Sequence, residues 1–403
     1  MLAMFGAFAA FVPLFALTLP QKIATVPGLG GRRAVEALSW ILVAGSVAAG
    51  GGNIVAGAIS DALFRRTRSR RRMIAAGVVA VVAGLATVAV ARSFAELVLA
   101  IVAFQLALNV LLSPLVALMV DYVPDERKGR MAGWLGLALP FGSVMVTLLA
   151  MFAPVSAGSN PIVSLFITML VVLVLTAPLV VLWPVPALVS IELDPPDAIA
   201  VSGQRERRAL IADFMLVWTA RLLVQFAAAA ILPYLYFYVA NVLRPPGGAA
   251  AIGPAVGALA FAFAVMSMAG AIGIGWISDR LGHRRAPLAM AAMLVAICMA
   301  TLSIAPVWPL TVMAYGCFAA GLAGFLAIDS ALVAQLVAAN PRRATLLGVM
   351  NLTNTLPSIL APAMALAVIG AQGETIRMVL VLQAAAVGAV VAALCASRIR
   401  TLR

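Results

Sequence analysis

Of 403 residues, 64% are hydrophobic and only 10% are charged. So little polar surface cannot cover a chain of this size in water, which excludes a soluble enzyme or scaffold and implies a protein embedded in a bilayer. The formal net charge of +13 would suit a nucleic-acid binder, but the arginines are dispersed among short segments between apolar runs. That dispersal is the pattern of the positive-inside rule, and no nucleic-acid partner is expected.

One spanning helix takes roughly 20 apolar residues, so the chain has room for about twelve. Span 1 runs from about Met1 to Val26; it lacks the basic start and small-residue cleavage site of a signal peptide and reads as the first of the array. Span 2 covers about Leu38 to Ser60, and a basic hairpin follows. Spans 3 and 4 cover about Ile74 to Ala91 and Leu97 to Tyr122, and a second polar hairpin runs from Asp121 through Arg127 to Arg130. Spans 5 and 6 run from about Met131 to Phe152 and Ile162 to Trp183. The long polar stretch from there to Asp213 reads as a linker, which divides the chain into residues 1–183, a linker over 184–213, and residues 214–403.

The second half repeats the plan. Spans 7 and 8 cover about Phe214 to Leu243 and Pro254 to Ile277, spans 9 and 10 Pro287 to Ile304 and Leu310 to Val337, and spans 11 and 12 Leu346 to Ile369 and Ile376 to Ser397. Cys298, Cys317 and Cys395 all fall inside apolar segments, as packed free thiols do. The even-numbered loops and the tail hold about twenty Arg and Lys against about six on the opposite side. Both termini and the linker are therefore expected on the cytoplasmic side of a cytoplasmic membrane.

Two stretches tie the halves together. Gly57-Ala-Ile-Ser-Asp61 precedes the basic run Arg65 to Arg72, and Gly275-Trp-Ile-Ser-Asp279-Arg280-Leu-Gly282-His283-Arg284-Arg285 is its near copy. The aspartates lie 218 positions apart (279 minus 61), just over half the chain. Matching motifs at matching places in two halves indicate an internal duplication.

The pair resembles the conserved loop of the major facilitator superfamily, which lies between helices 2 and 3 and again between 8 and 9. Ser60-Asp61 with Arg66-Thr-Arg68-Ser-Arg70 is similar to the run found in sugar–cation symporters, the glycoside/pentoside/hexuronide and sucrose-transporter-like branch. The resemblance implies an all-α membrane fold of twelve helices in two six-helix bundles, working by alternating access. It also implies gating roles for the loops. Asp61 would face the N-terminus of helix 11, an arginine of the first hairpin would pair with Asp121, and Asp279 would play the equivalent part against helix 5. Gly57, Arg68, Arg70, Arg127, Arg130, Gly275, Arg280, Gly282, Arg284 and Arg285 complete this gating set.

Within the spans an ionisable group is a functional candidate by default, because burying it unpaired costs several kcal/mol. Arg221 in span 7 and Asp329 in span 10 both sit roughly 13–17 Å deep at 1.5 Å per residue. Helices 1, 4, 7 and 10 line the cavity of the implied fold, so the two residues are expected to pair, with Asp329 taking a proton as the carrier cycles. The competing expectations are a permanently ionised pair that only fixes helix packing, and two residues that never meet. Gln21, Asn53, Gln105, Asn109, Gln225, Tyr234, Ser330, Asn351 and Asn354 are the candidate cavity groups. Amides and hydroxyls suit a hydroxyl-bearing solute because they donate and accept, though each also serves as glue between helices. Asn53 stands where sodium-coupled relatives of the melibiose type carry an acid, which disfavours sodium and points to proton coupling or to none.

No phosphate-binding G-x-x-x-x-G-K-[ST] occurs, and the single histidine, His283, lies in a signature hairpin, so no catalytic or metal cluster is expected. The expected function is proton-linked symport of a small, sugar- or glycoside-like solute by a monomer with no cofactor. The first rival is an exporter of drugs, lipids or metabolites. Leu139-Pro140-Phe141-Gly142-Ser143 is a poor match to the helix-5 run of proton-linked exporters. The second rival is a non-transporting receptor or assembly factor on the same fold.

Overall fold

Inside a bilayer no water is available to the backbone, so a spanning segment must satisfy its own N–H and C=O groups. Helices follow. A computed structural model describes residues 1–29, 33–67, 69–123, 131, 134–152, 161–182, 204–281, 283–304, 306–338, 343–368 and 374–399. Among these residues twelve helices account for most of the regular structure. The first six are α1 (Leu2–Thr25), α2 (Ala34–Thr67), α3 (Arg71–Val90), α4 (Phe94–Tyr122), α5 (Ala138–Phe152) and α6 (Pro161–Ala177). The second six are α7 (Gln204–Ile231), α8 (Ala249–Leu281), α9 (Arg285–Ile304), α10 (Trp308–Ala338), α11 (Arg343–Ala367) and α12 (Glu374–Ser397).

Eleven of them are long and apolar enough to cross a membrane. The exception is α11, whose Asn351, Thr353, Asn354, Thr355 and Ser358 dilute its apolar run. In α1 a π turn, Leu14–Thr18, follows directly on Pro13, where the missing N–H loosens the ladder.

The signature stretches are more helical than a hairpin reading implies. Helix α2 continues through Thr67, so Gly57, Asp61, Arg65 and Arg66 belong to its final turns, and only residues 68–70 separate it from α3. Likewise Gly275, Asp279 and Arg280 lie in α8, which ends at Leu281. Cations in a last turn face the partial negative charge of the helix end, which favours extension over an early stop.

Span 7 is interrupted. Helix α7 ends at Ile231, Leu232 to Tyr234 form a turn, and the chain resumes as a short helix, Leu235–Tyr238, and a π turn, Val239–Leu243. Pro233 accounts for the break, since it offers no N–H and its ring clashes with the preceding turn.

The chain divides into two compact units. The first holds Met1–Ile191 together with Tyr234–Ala240 and Arg244–Phe261. Within it α1 packs on α5 and α6, and α4 packs on α2 and α3. The second holds Glu192–Pro233, Asn241–Leu243 and Ala262–Arg403, with α7 against α10, α11 and α12, and α9 against α10 and α12. The division falls at Pro233: beyond the break in span 7, Tyr234–Ala240 belongs to the first unit and Asn241–Leu243 to the second.

Candidate functional site

The second unit contains a polar network in an apolar bundle. Trp218, Arg221 and Gln225 recur every three or four residues, which puts them on one face of α7. The face meets α10 and α11. Arg221 Nη1 donates to Asp329 Oδ2 at 2.6 Å. The Asp329 side chain is fully buried, and that of Arg221 is 19% exposed. Arg221 Nη2 donates to Asn354 Oδ1 at 3.3 Å, the oxygen that also accepts from Gln225 Nε2 at 3.0 Å. Asn354 Nδ2 passes the chain on to Asn351 Oδ1 at 3.1 Å. Trp218 Nε1 donates to the Val349 carbonyl at 2.9 Å and holds α7 against α11 just before these amides.

Two atoms of the ion pair are buried without a hydrogen-bond partner among the described residues: Asp329 Oδ1 and Arg221 Nε. Asn351 and Asn354, one turn apart on α11, are exposed, so one edge of the network is open and the carboxylate itself is closed in. Ser330, also exposed, spends its hydroxyl on its own helix at the Ala327 carbonyl.

In the first unit the strongest polar cluster surrounds Arg70, the residue just before α3. Its side chain is 5% exposed, and Nε donates to Asp121 Oδ2 at 2.5 Å. Nη1 reaches Ser60 Oγ at 2.7 Å and Asp61 Oδ1 at 3.1 Å, and the guanidinium lies over the Phe64 ring. Burial opposes this charge; the hydrogen bonds to Asp121 and Asp61 outweigh it and hold the Arg70 pKa above its ordinary value. Arg70→Gln is expected to destabilise the purified protein by on the order of 3 kcal/mol, because Asp121 would lose its buried cation. Arg70→Lys should recover only part, since an ammonium cannot fork between three partners. A thermal melt in detergent measures both.

The second copy has these contacts among the described residues. Arg284 stands just before α9 as Arg70 stands before α3, yet its Nη1 is buried with no partner among the described residues. Arg285 reaches the Ile399 carbonyl at 3.5 Å, and Arg280 lies over the Trp276 ring at 4.8 Å. Arg68, Arg127, Arg130 and Gly282 lie outside the described residues, as does the Asp279 side chain.

The remaining candidates in the first unit serve mostly as contacts between helices. Asn53 Nδ2 donates to Asn109 Oδ1 at 3.2 Å, and Asn109 Nδ2 to the Gln105 carbonyl at 2.9 Å; Gln105 and Asn109 are both buried. Gln21 is half-buried. Tyr234 is 2% exposed, and its hydroxyl bonds that of Ser39 at 2.7 Å, which fastens the segment beyond Pro233 to α2. Tyr234→Phe is expected to cost about 1 kcal/mol of stability, visible as a lowered melting temperature.

Sequence reasoning missed several groups. Lys22 is buried and donates from Nζ to the Ala89 carbonyl at 2.8 Å, which neutralises the end of α3. Arg71 bonds the Val180 and Val181 carbonyls beyond α6. Trp218 was discoverable, since it lies one turn before Arg221 on the same face.

The fold and these sites define a polytopic helical membrane protein with a buried charge pair. The Major Facilitator Superfamily description matches residues 1–362 and again 250–400, and the chain belongs to that superfamily of membrane transporters. Solved structures agree on the fold. A bacterial homologue of the human lysosomal transporter Spinster, inward-facing and unoccupied, superposes with TM-score 0.67 at 14% identity, covering 98% of this chain and 97% of that one. The xylose transporter XylE from E. coli, inward open, gives TM-score 0.68 at 15% identity over 100% of this chain and 96% of that one. No functionally curated protein matches the sequence.

Proposed function

We propose that this transporter carries a small, hydroxyl-bearing organic solute, sugar- or glycoside-like in its polarity, in symport with a proton that rides on Asp329. The cytoplasmic membrane is its site, with the termini and arginine-rich turns in the cytoplasm. The observation behind this reading is the Arg221–Asp329 pair. Arg221 engages Oδ2 only, and Oδ1 is left with no partner among the described residues, as the oxygen on which a proton would settle. A carboxylate held by a single cation in an apolar bundle changes charge at less cost than one held from several sides. The open amides of Gln225, Asn351 and Asn354 suit solute hydroxyls, each able to donate and accept. The Arg70 cluster is the latch at the arginine-rich end, a bridge between α2, α3 and α4.

Purified protein in liposomes tests this. An imposed inward proton gradient is expected to drive accumulation of a labelled solute from a panel of sugars, glycosides and their acids, and a protonophore should abolish it. Accumulation indifferent to the gradient would remove the proton from the mechanism. Drug protection on overexpression, without accumulation of any solute, would favour export.

A further inference from the structure

Charge balance restricts the solute further, on the premise that Asp329 carries the proton. In residues 214–243, 254–277, 286–304, 308–338 and 344–367 the sequence holds one cation and one anion, Arg221 and Asp329. A further buried carboxylate, Asp213, stands eight residues before Arg221 near the start of the same span and has an interaction of its own. Helices α7, α9 and α11 all pack in the unit that holds Asp329, and Arg221 is the only charged group those stretches can offer it. The empty site is therefore neutral as a pair. When a proton forms an O–H bond at Oδ1, Arg221 keeps its positive charge and loses the anion that balanced it. A lone guanidinium in an apolar bundle is costly.

We infer that the solute is an organic monoanion, which takes the place of the Asp329 carboxylate on Arg221. Two donors are available to it: the Nη1–H, whose bond to Oδ2 weakens once the carboxyl group is neutral, and the Nε–H that has no partner among the described residues. The exposed Asn354 already touches Nη2 and places the open amide edge beside the anionic group. The loaded site, with neutral Asp329, Arg221 and the anion, is again neutral. On release the anion and proton leave together, the original pair re-forms, and no net charge crosses the membrane.

Matched probes separate charge from shape: lactate against lactamide, benzoate against benzamide, and gluconate against gluconamide, each titrated into purified protein in lipid nanodiscs with thermal stability as the readout. In acidic buffer at least one acid is expected to bind about tenfold tighter than its amide, the increment of one charge-assisted hydrogen bond. Asp329→Asn, which leaves Arg221 uncompensated, should retain that preference in alkaline buffer, where the wild type loses it. The double variant Arg221→Gln/Asp329→Asn, neutral and free of an unpaired charge, should show no preference at any pH; it serves if Asp329→Asn alone folds poorly. Equal binding of acid and amide, or no binding of any of the three acids, overturns the inference. The premise fails separately. Preference for an acid that ignores both pH and Asp329→Asn would leave the anion and remove the proton, whereas vesicle acidification during uptake of a neutral solute would keep the proton and discard the anion.

Discussion

Asp329→Asn is expected to abolish proton-driven accumulation in proteoliposomes while solute exchange between equal concentrations continues. Asparagine has nearly the shape of a protonated aspartic acid and can neither release nor take up a proton, so the loaded form persists and coupling is lost. Accumulation should fall from a multiple of the external concentration to none. Arg221→Gln is the converse: Asp329 is left fully buried without its cation, and both exchange and stability should suffer. A pair that only held α7 and α10 together would behave otherwise. Either single variant would then cost several kcal/mol, exchange and accumulation would fall in parallel, and the double variant would restore both.

The largest effect on folding is expected at Gly270. A Cβ built on this residue of α8 would overlap the carbonyl carbon, Cα and oxygen of Ala320 on α10, all backbone atoms that no rotamer change can move aside. Gly270→Val should therefore leave little folded protein in the membrane, and Gly270→Ala should lower stability by about 1–3 kcal/mol as the helices are forced apart. Gly273 supplies the control, one turn along the same helix, because a Cβ there meets nothing within 4 Å. Gly273→Ala should be neutral or slightly stabilising, since alanine favours the helix. Gly52 occupies the same place in the first half, 218 positions earlier (270 minus 52), against the flexible end of Leu106 on α4. Substitution there should be milder. Expression and size-exclusion profiles in detergent rank the four variants.

The twelve helices were legible because a bilayer imposes one length and one polarity on every span, and both can be counted. Their ends were not. The helical extensions of α2 and α8 past the signature glycines depend on how arginines settle at a helix terminus, which no hydrophobic pattern records. That Tyr234–Ala240, beyond the break at Pro233, packs in the first unit is likewise absent from the hydrophobic pattern.

Charges were easier to find than their partners. The depths of Arg221 and Asp329 followed from residue counts, but the turn of each helix about its axis decides whether two such groups touch, and that depends on packing. The network through Asn354 to Asn351 and the bond from Trp218 to Val349 needed three helices in place. Among the arginines of the first basic run, only a structure singles out Arg70, the residue that enters α3 and is enclosed by Ser60, Asp61 and Asp121. Tyr234 illustrates the opposite difficulty: a tyrosine in a span reads equally well as ligand contact or packing, and its hydroxyl is committed to Ser39.

Whether Asp329 takes a proton inside the bilayer is most directly measured by infrared difference spectroscopy on the purified protein in lipid as the buffer is made acidic. Proton carriage on this residue predicts a carbonyl stretching band of a protonated carboxylic acid in the wild type that is missing from Asp329→Asn. A spectrum without that band, or one in which the variant keeps it, would contradict proton coupling at Asp329.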